Sequence, residues 1–301
     1  MSGFIPIDLS KLPAPEVIKT VSFDALLAEM KAEATSQMPD LAPFLELESE
    51  PVTKLLRVCA YFRMLDRLEF NDGARANMLA LATGTNLDGL AAFWGVERLV
   101  VQEADDSLSP PLRQILEADD AFRARVQQSL EGHSTAGPSG AYRFWALSAS
   151  GEVKDVAISS GTPGEVLVTV LATVDDGTPS NAVLSAVETI LNDEDVRPMN
   201  DQVTVQAAQI LSYTITAHLV LQPGPDASAV QGAATAAIEA YVTAQHGLGR
   251  DITLSGIYAA LHQPGVANVQ LSAPVADISV NADQAAFCSP APSLTVGADN
   301  V

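Results

Sequence analysis

The side chains that could do chemistry in this sequence are few and widely spaced. Four histidines, His133, His218, His246 and His262, show no i,i+2 or i,i+4 spacing of the kind that puts two imidazoles on one metal. His218 falls on the polar side of an alternating run beside Thr216, and the other three fall at expected helix ends or turns. There a histidine can satisfy terminal carbonyls. The acidic pairs Asp105-Asp106, Asp119-Asp120 and Asp175-Asp176 lack the D-x-[DN]-x-[DN]-G order of a calcium loop, and turn or helix-capping roles explain them. Gly247-Leu248-Gly249-Arg250-Asp251 resembles a phosphate loop in composition, but it follows a helical pattern where such a loop follows a strand. It reads as a helix–helix turn. GxxxxGK[ST], GxGxxG, HExxH and GxSxG patterns are absent. These residues predict no catalytic, cofactor-binding or metal site, and the chain reads as a non-enzyme.

Two further groups could recognise a partner. Tyr142, Phe144 and Trp145 form the densest aromatic cluster, on a short helical stretch after a glycine-rich turn. They suit either an anchor for another protein or a core, and the strands that follow favour the core. Arg143, Arg197 and Arg250 are three of the four basic residues beyond residue 131, and could gather around an anion. Cys59 and Cys288 are too few for a disulfide framework, and Cys59 lies in an apolar helical stripe that predicts a buried thiol.

The elements that must position these groups follow from periodicity. Residues 1–20, with Pro6, Pro13 and Pro15 among Phe4, Ile5, Ile7 and Leu9, suggest an extended apolar arm. Residues 21–98 read as a helical domain. Ser22 caps a helix carrying Phe23, Leu26, Leu27, Met30 and Ala34 on one face. A second helix runs over about 53–71 with Leu55, Val58, Cys59, Phe62, Leu65 and Leu68 as its inner stripe, ended by Gly73. A third segment spans 74–82, and a short helix after Gly84 is closed by Gly95. Residues 99–117, with Ser109-Pro110-Pro111, read as a linker or loop, and 118–150 as a helical connector.

The period then changes from 3.6 to 2. Strands at 153–159 and 165–174, a helix capped by Ser180 and a strand at 202–207 make a β-β-α-β domain over 151–208. A β-α-α-β domain follows over 209–285. It comprises one strand at 210–221, an alanine-rich helix capped by Asp226, a helix near 254–262 and a strand at 266–271. Residues 286–301 are expected to be a tail that is mobile at its end. The fold class is therefore α+β, with a helical N-terminal domain and two small β-α units.

The chain of 301 residues carries 16 Lys+Arg against 37 Asp+Glu, a net charge of −21. Residues 132–301 hold 4 basic against 16 acidic residues. Such a surface repels phosphate backbones, which disfavours nucleic-acid binding. The one basic enrichment, Lys54, Arg57, Arg63, Arg67 and Arg75, is interleaved with Asp66, Glu69 and Asp72 and reads as a solvated helix face with local ion pairs or as a docking face for an acidic partner. No apolar run reaches membrane-span length and no secretory signal pattern opens the sequence, so folding in a cytoplasm is expected.

Leu87-Asp88-x-Leu90-Ala91-x-x-x-Gly95-Val96-x-Arg98 resembles the LDxLA…GVxR signature of the baseplate J family. Phe122-Arg123, then Gly132-x-Ser134-x-Ala136-Gly137-Pro138 with Ala141-Tyr142 and Phe144, is similar to a second block of that family. Leu9-x-x-Leu12-Pro13-x-Pro15, Arg197-Pro198 with Val203-x-Val205, Leu248-Gly249-x-Asp251-Ile252 and Pro264-Gly265-Val266 with Pro274 follow in order. The 99–117 loop and the stretch after about residue 283 match nothing in that pattern.

The resemblance implies a structural wedge protein of a contractile phage tail or related injection particle. Such proteins join wedges into a sixfold ring around the tail tube, without enzymatic activity or cofactor. It further implies a tail protein I type wedge subunit and a sheath-initiator protein of the W type as partners, self-association, and residence in the tail particle after assembly in the host cytoplasm. The expected interface residues are Leu9, Leu12, Leu55, Phe62, Leu87, Arg98, Tyr142 and Trp145. Two other readings stay open: a small-molecule or anion-binding protein or enzyme with a site in the C-terminal α/β domains, and an acidic scaffold adaptor of a non-phage assembly.

Overall fold

The computed structural model describes residues 7–13, 15–134, 136–224 and 226–298. They divide into two compact units, one of residues 7–97 with 119–126 and the other of residues 98–118 with 127–298. The arm expected over 1–20 falls in part outside the described residues. The fold is α+β.

The first unit is helical. α1 (Phe23–Gln37) begins at Ser22, whose Oγ accepts the Ala25 N–H. The short α2 (Ala42–Leu45) leads into α3 (Pro51–Ala76), and α4 (Gly84–Ala92) follows. Pro51 starts α3 because a proline at the first helical position sacrifices no intrahelical N–H. α3 continues past Gly73, so the expected break there and the separate segment at 74–82 are not found: one glycine costs a long helix only about 1 kcal/mol. Gly95, with φ +65°, ends the turn after α4 in the left-handed conformation that glycine tolerates. α5 (Asp119–Gly132) contributes its first residues to this unit.

The rotation of α3 about its axis differs from the expected one. Thr53, Ala60 and Asn71 are the buried positions, and Leu56, Met64, Arg67 and Ala74 are half-buried on the same face. Two polar latches set this rotation. Asn71 Nδ2 donates to the Lys19 carbonyl at 2.8 Å while its Oδ1 accepts the Lys19 N–H, and Thr53 Oγ1 donates to the Phe44 carbonyl. The small Ala60 is fully buried on this side, and α1 packs along α3. The predicted inner stripe, Leu55, Val58, Cys59, Phe62, Leu65 and Leu68, therefore points outward, and Cys59 is exposed instead of buried.

In the second unit, β1 (Val100–Gln102) and β2 (Ile115–Leu116) pair antiparallel, so the segment read as a loop at 99–117 is a small hairpin. Its β-branched ends supply strand propensity that the Ser-Pro-Pro tip obscured. α6 (Ser139–Ser148) precedes β3 (Val153–Ser159) and β4 (Glu165–Ala172), then α7 (Asn181–Leu191) and β5 (Gln202–Ala207). β3 pairs antiparallel with β4, and β4 parallel with β5, the crossover helix α7 allowing the parallel pair. Tyr142 and Ala146 of α6 and Val183, Val187 and Leu191 of α7 pack with Val156, Val168 and Val170 of the sheet. The β-β-α-β unit is thus the observed one.

The next strand departs from expectation. Residues 210–221 form two strands, β6 (Gln209–Tyr213) and β7 (Thr216–Leu221), in different sheets. β9 (Gln284–Cys288) runs parallel to β6 and β10 (Ser293–Ala298) parallel to β7. The connection between β9 and β10 contains Pro290 and Pro292, which lack the N–H a continuous ladder needs, and the partner strand must break with it. α8 (Ala227–Gln245), α9 (Leu254–Leu261) and β8 (Val266–Ala273) complete the fold, with β8 antiparallel to β7. Leu219, Ile238, Ile257 and Leu261 sit in its core. The expected tail is ordered as strand up to residue 298, where Leu294 and Val296 pack on that core.

Candidate interaction surface

The outward face of α3 is built by helical spacing. Leu55, Val58, Phe62 and Leu65 recur at intervals of three and four, so they line one side of the helix. Leu55 keeps 63% and Phe62 59% of its surface in solvent, and Val58, Tyr61, Leu65, Leu68 and Phe70 are exposed as well. Tyr61 and Phe62 meet edge to face at 5.7 Å. Phe44 and Leu47, from the segment before α3, are also exposed. Isolated exposed apolar residues are ordinary, whereas a continuous row along one helix is a candidate contact surface.

The charges on α3 do not form the i,i+4 ladder that a purely solvated face would show. Arg75 pairs with Asp72 at 3.1 Å, and Arg57 reaches back to Glu48 at 3.3 Å while lying over the Phe23 ring. Lys54, Arg63 and Arg67 make no ion pair among the described residues. Exposed pairs of this kind contribute roughly 0–1 kcal/mol, so these charges add little to the stability of the unit.

The other expected interface residues fall into three settings. Leu9, half-buried, and Leu12, exposed, line an apolar groove of about 400 Å³ with Pro13, Pro15 and Met78–Leu81. Leu87 (0% exposed) and Tyr142 (2% exposed) are core side chains, so neither offers a contact surface. Leu87 and Ala91 are the buried positions of α4. Tyr142 Oη donates to Asp201 Oδ2 at 2.7 Å, and burial raises its pKa. Arg98 is half-buried and donates to the Glu117 carbonyl at 2.6 Å, clasping the ends of the β1–β2 segment. Trp145 is half-buried, its Nε1 donates to the Gly132 carbonyl at 3.1 Å, and its ring meets Phe144 edge to face. The aromatic cluster is core. Residues that the expected set omitted, Tyr61 and Leu65, extend the α3 face, and their helical spacing was the available signal.

The three arginines read as a candidate anion site separate. Arg143 and Arg250 line one cleft, while Arg197 donates to the Asp201 carbonyl elsewhere. Asp105 and Asp176 make the turn bonds expected of them: Asp105 Oδ1 accepts the Ser107 hydroxyl and N–H, and Asp176 Oδ1 accepts the Thr178 N–H, which holds both carboxyls below the usual range. His246 bridges Lys154 Nζ, 2.9 Å from its Nδ1, and the Asp176 carbonyl, so the terminal carbonyl of Ala244 is taken by Arg250 instead. Burial and the neighbouring ammonium push the His246 pKa down.

Comparison with known proteins decides the family. Residues 48–105 match the baseplate J-like N-terminal domain, residues 134–207 the baseplate J-like central domain, and residues 213–289 the baseplate J-like protein C-terminal domain. The chain belongs to the baseplate J-like family. Baseplate protein J of Escherichia phage P2 is 46% identical over 298 residues, 97% of this chain and 99% of that protein. A chain in the 6-fold symmetrised cryo-EM structure of the anti-feeding prophage baseplate is 16% identical with a TM-score of 0.40, covering 59% of this chain and 42% of that one. The α3 face of this baseplate J-like chain falls inside the matched N-terminal domain, and the Arg143–Arg250 cleft draws on both the central and C-terminal ones.

Proposed function

We propose that this baseplate J-like chain is a structural wedge component of a contractile tail, joining wedges into a sixfold ring around the tail tube and binding a tail protein I type subunit. The observation that carries the reading is the outward apolar face of α3 in a chain 46% identical to baseplate protein J of phage P2. A helix that directs Leu55, Val58, Phe62 and Leu65 into water is stabilised when a neighbour covers them, and a helix-in-groove or helix-pair contact uses this spacing of anchors. A sheath-initiator protein of the W type is a second neighbour in this reading. The chain acts by contact and not by catalysis. It assembles in the host cytoplasm and resides in the tail particle.

Coexpression tests this. The chain with a tail protein I type subunit from the same tail gene set should elute as a stable complex, whereas the chain alone should self-associate. A strictly monomeric chain that captures no neighbouring tail protein contradicts the proposal.

A further inference from the structure

In an acidic second unit, cations gather at one place. Of the four basic residues beyond position 131, Arg143 and Arg250 line a cleft of about 440 Å³ between α6, β3 and the turn after α8. Ser139, Gly140, Val156–Ile158, Leu248 and Gly249 provide the remaining walls. Burial, and then the charge of Arg250, lower the pKa of Lys154, a third cation of this region.

Asp155, the carboxylate that lines this cleft, is already engaged. Asp155 Oδ1 accepts Arg143 Nη2 at 2.6 Å and the Val156 N–H at 2.9 Å, and its Oδ2 accepts the Leu248 N–H at 3.0 Å. The Glu131 carboxylate lies beside Gly140 at the start of α6 and adds negative charge at that edge of the cleft. Arg250 spends one donor, Nη1, on the Ala244 carbonyl at 2.5 Å. A guanidinium has five N–H donors, and Arg250 is exposed at the cleft wall with its Nε and Nη2 groups making no hydrogen bond among the described residues.

We infer that this cleft binds an oxyanion, a phosphate or a carboxylate, through the Arg250 guanidinium with Arg143 behind it. The planar donor fork of arginine matches two oxygens of either group. Arg143, oriented by Asp155 and the Val156 carbonyl, is a guanidinium that costs little to organise on binding, and since Asp155 offsets its charge, Arg250 carries most of the attraction. This inference is separate from the wedge reading and concerns a different part of the chain from the α3 face.

The test titrates the full-length chain, isotope-labelled for NMR, with inorganic phosphate and separately with N-acetyl-glutamate amide, against sodium chloride at matched ionic strength. Saturable shifts at the amides of Ser139–Ala141 and Leu248–Gly249 are expected. Arg250→Gln should weaken the binding about tenfold, the scale of one charge-assisted contact. Because Arg250 also holds the end of α8, a second variant, Ala282→Asp, leaves Arg250 in place and sets a competing carboxylate on the exposed rim. It should weaken binding comparably with an unchanged melting temperature. Tighter saturation by phosphate identifies a free ion as the source, and tighter saturation by the glutamate derivative identifies a neighbour's acidic side chain. Shifts that match the chloride control, or that persist undiminished in both variants, overturn the inference.

Discussion

Replacing Leu55 and Phe62 together by serine separates association from folding. In the isolated chain these side chains keep about 60% of their surface in water, so truncating them removes little internal packing. Exposed substitutions usually change stability by about 0.5 kcal/mol or less, and neither residue takes part in the latches at Thr53 and Asn71. Association is another matter. Full burial of a leucine or phenylalanine contributes about 1.5–3 kcal/mol. The exposed fraction then corresponds to about 1–2 kcal/mol for each, or about 2–4 kcal/mol for the pair if a partner covers both. That range weakens a complex roughly 30- to 700-fold at 1.4 kcal/mol per decade. Urea denaturation of the isolated chain and sedimentation velocity of the coexpressed complex read the two effects independently. A loss above about 2 kcal/mol of folding stability with an intact complex would refute the reasoning, because it would mean that the face packs within the chain.

The remaining expectations concern the second unit. Leu219→Ala, at a fully buried position of the C-terminal core, should lower unfolding free energy by about 2–5 kcal/mol in urea titrations. Gly177→Ala should destabilise by about 1–3 kcal/mol in the same assay: φ there is +94°, and a methyl would lie 2.5 Å from Leu171 Cδ1 and 3.0 Å from His246 Nε2. His246 has a lowered pKa in the folded chain, so the unfolded chain binds its proton first, at about pH 6.5. Stability should therefore fall as pH drops below that value, and His246→Gln should flatten thermal-melt curves in that window.

Where a single periodicity governed an element, the sequence was readable. β3 and β5 begin and end where the alternation does, and Ser22, Ser180 and Asp226 cap the helices they precede. The orientation of α3 was not readable in the same way, because its apolar row suggested the inside. The inside was decided by three small or polar residues: Thr53 and Asn71, held to the Phe44 and Lys19 backbone groups, and the fully buried Ala60. Hydrophobic spacing identifies a face without saying which side of it another molecule occupies. The C-terminal strands were hidden for a related reason: Ala286 and Cys288 in β9, and Leu294 and Val296 in β10, alternate within a stretch whose alanine and proline content suggested a tail. Long-range pairing to β6 and β7 ordered them, and local composition carries no trace of such partners. Leu87 and Tyr142 show the same limit at single residues, since motif positions expected at an interface proved to be core.

Electron cryomicroscopy of the tail particle that contains this chain tests the wedge reading most directly. Six symmetric sets of the chain are predicted at the baseplate, with Leu55 and Phe62 of α3 covered by helices of a neighbouring subunit. A baseplate that lacks the chain, or one in which the α3 face stays open to solvent, would contradict it.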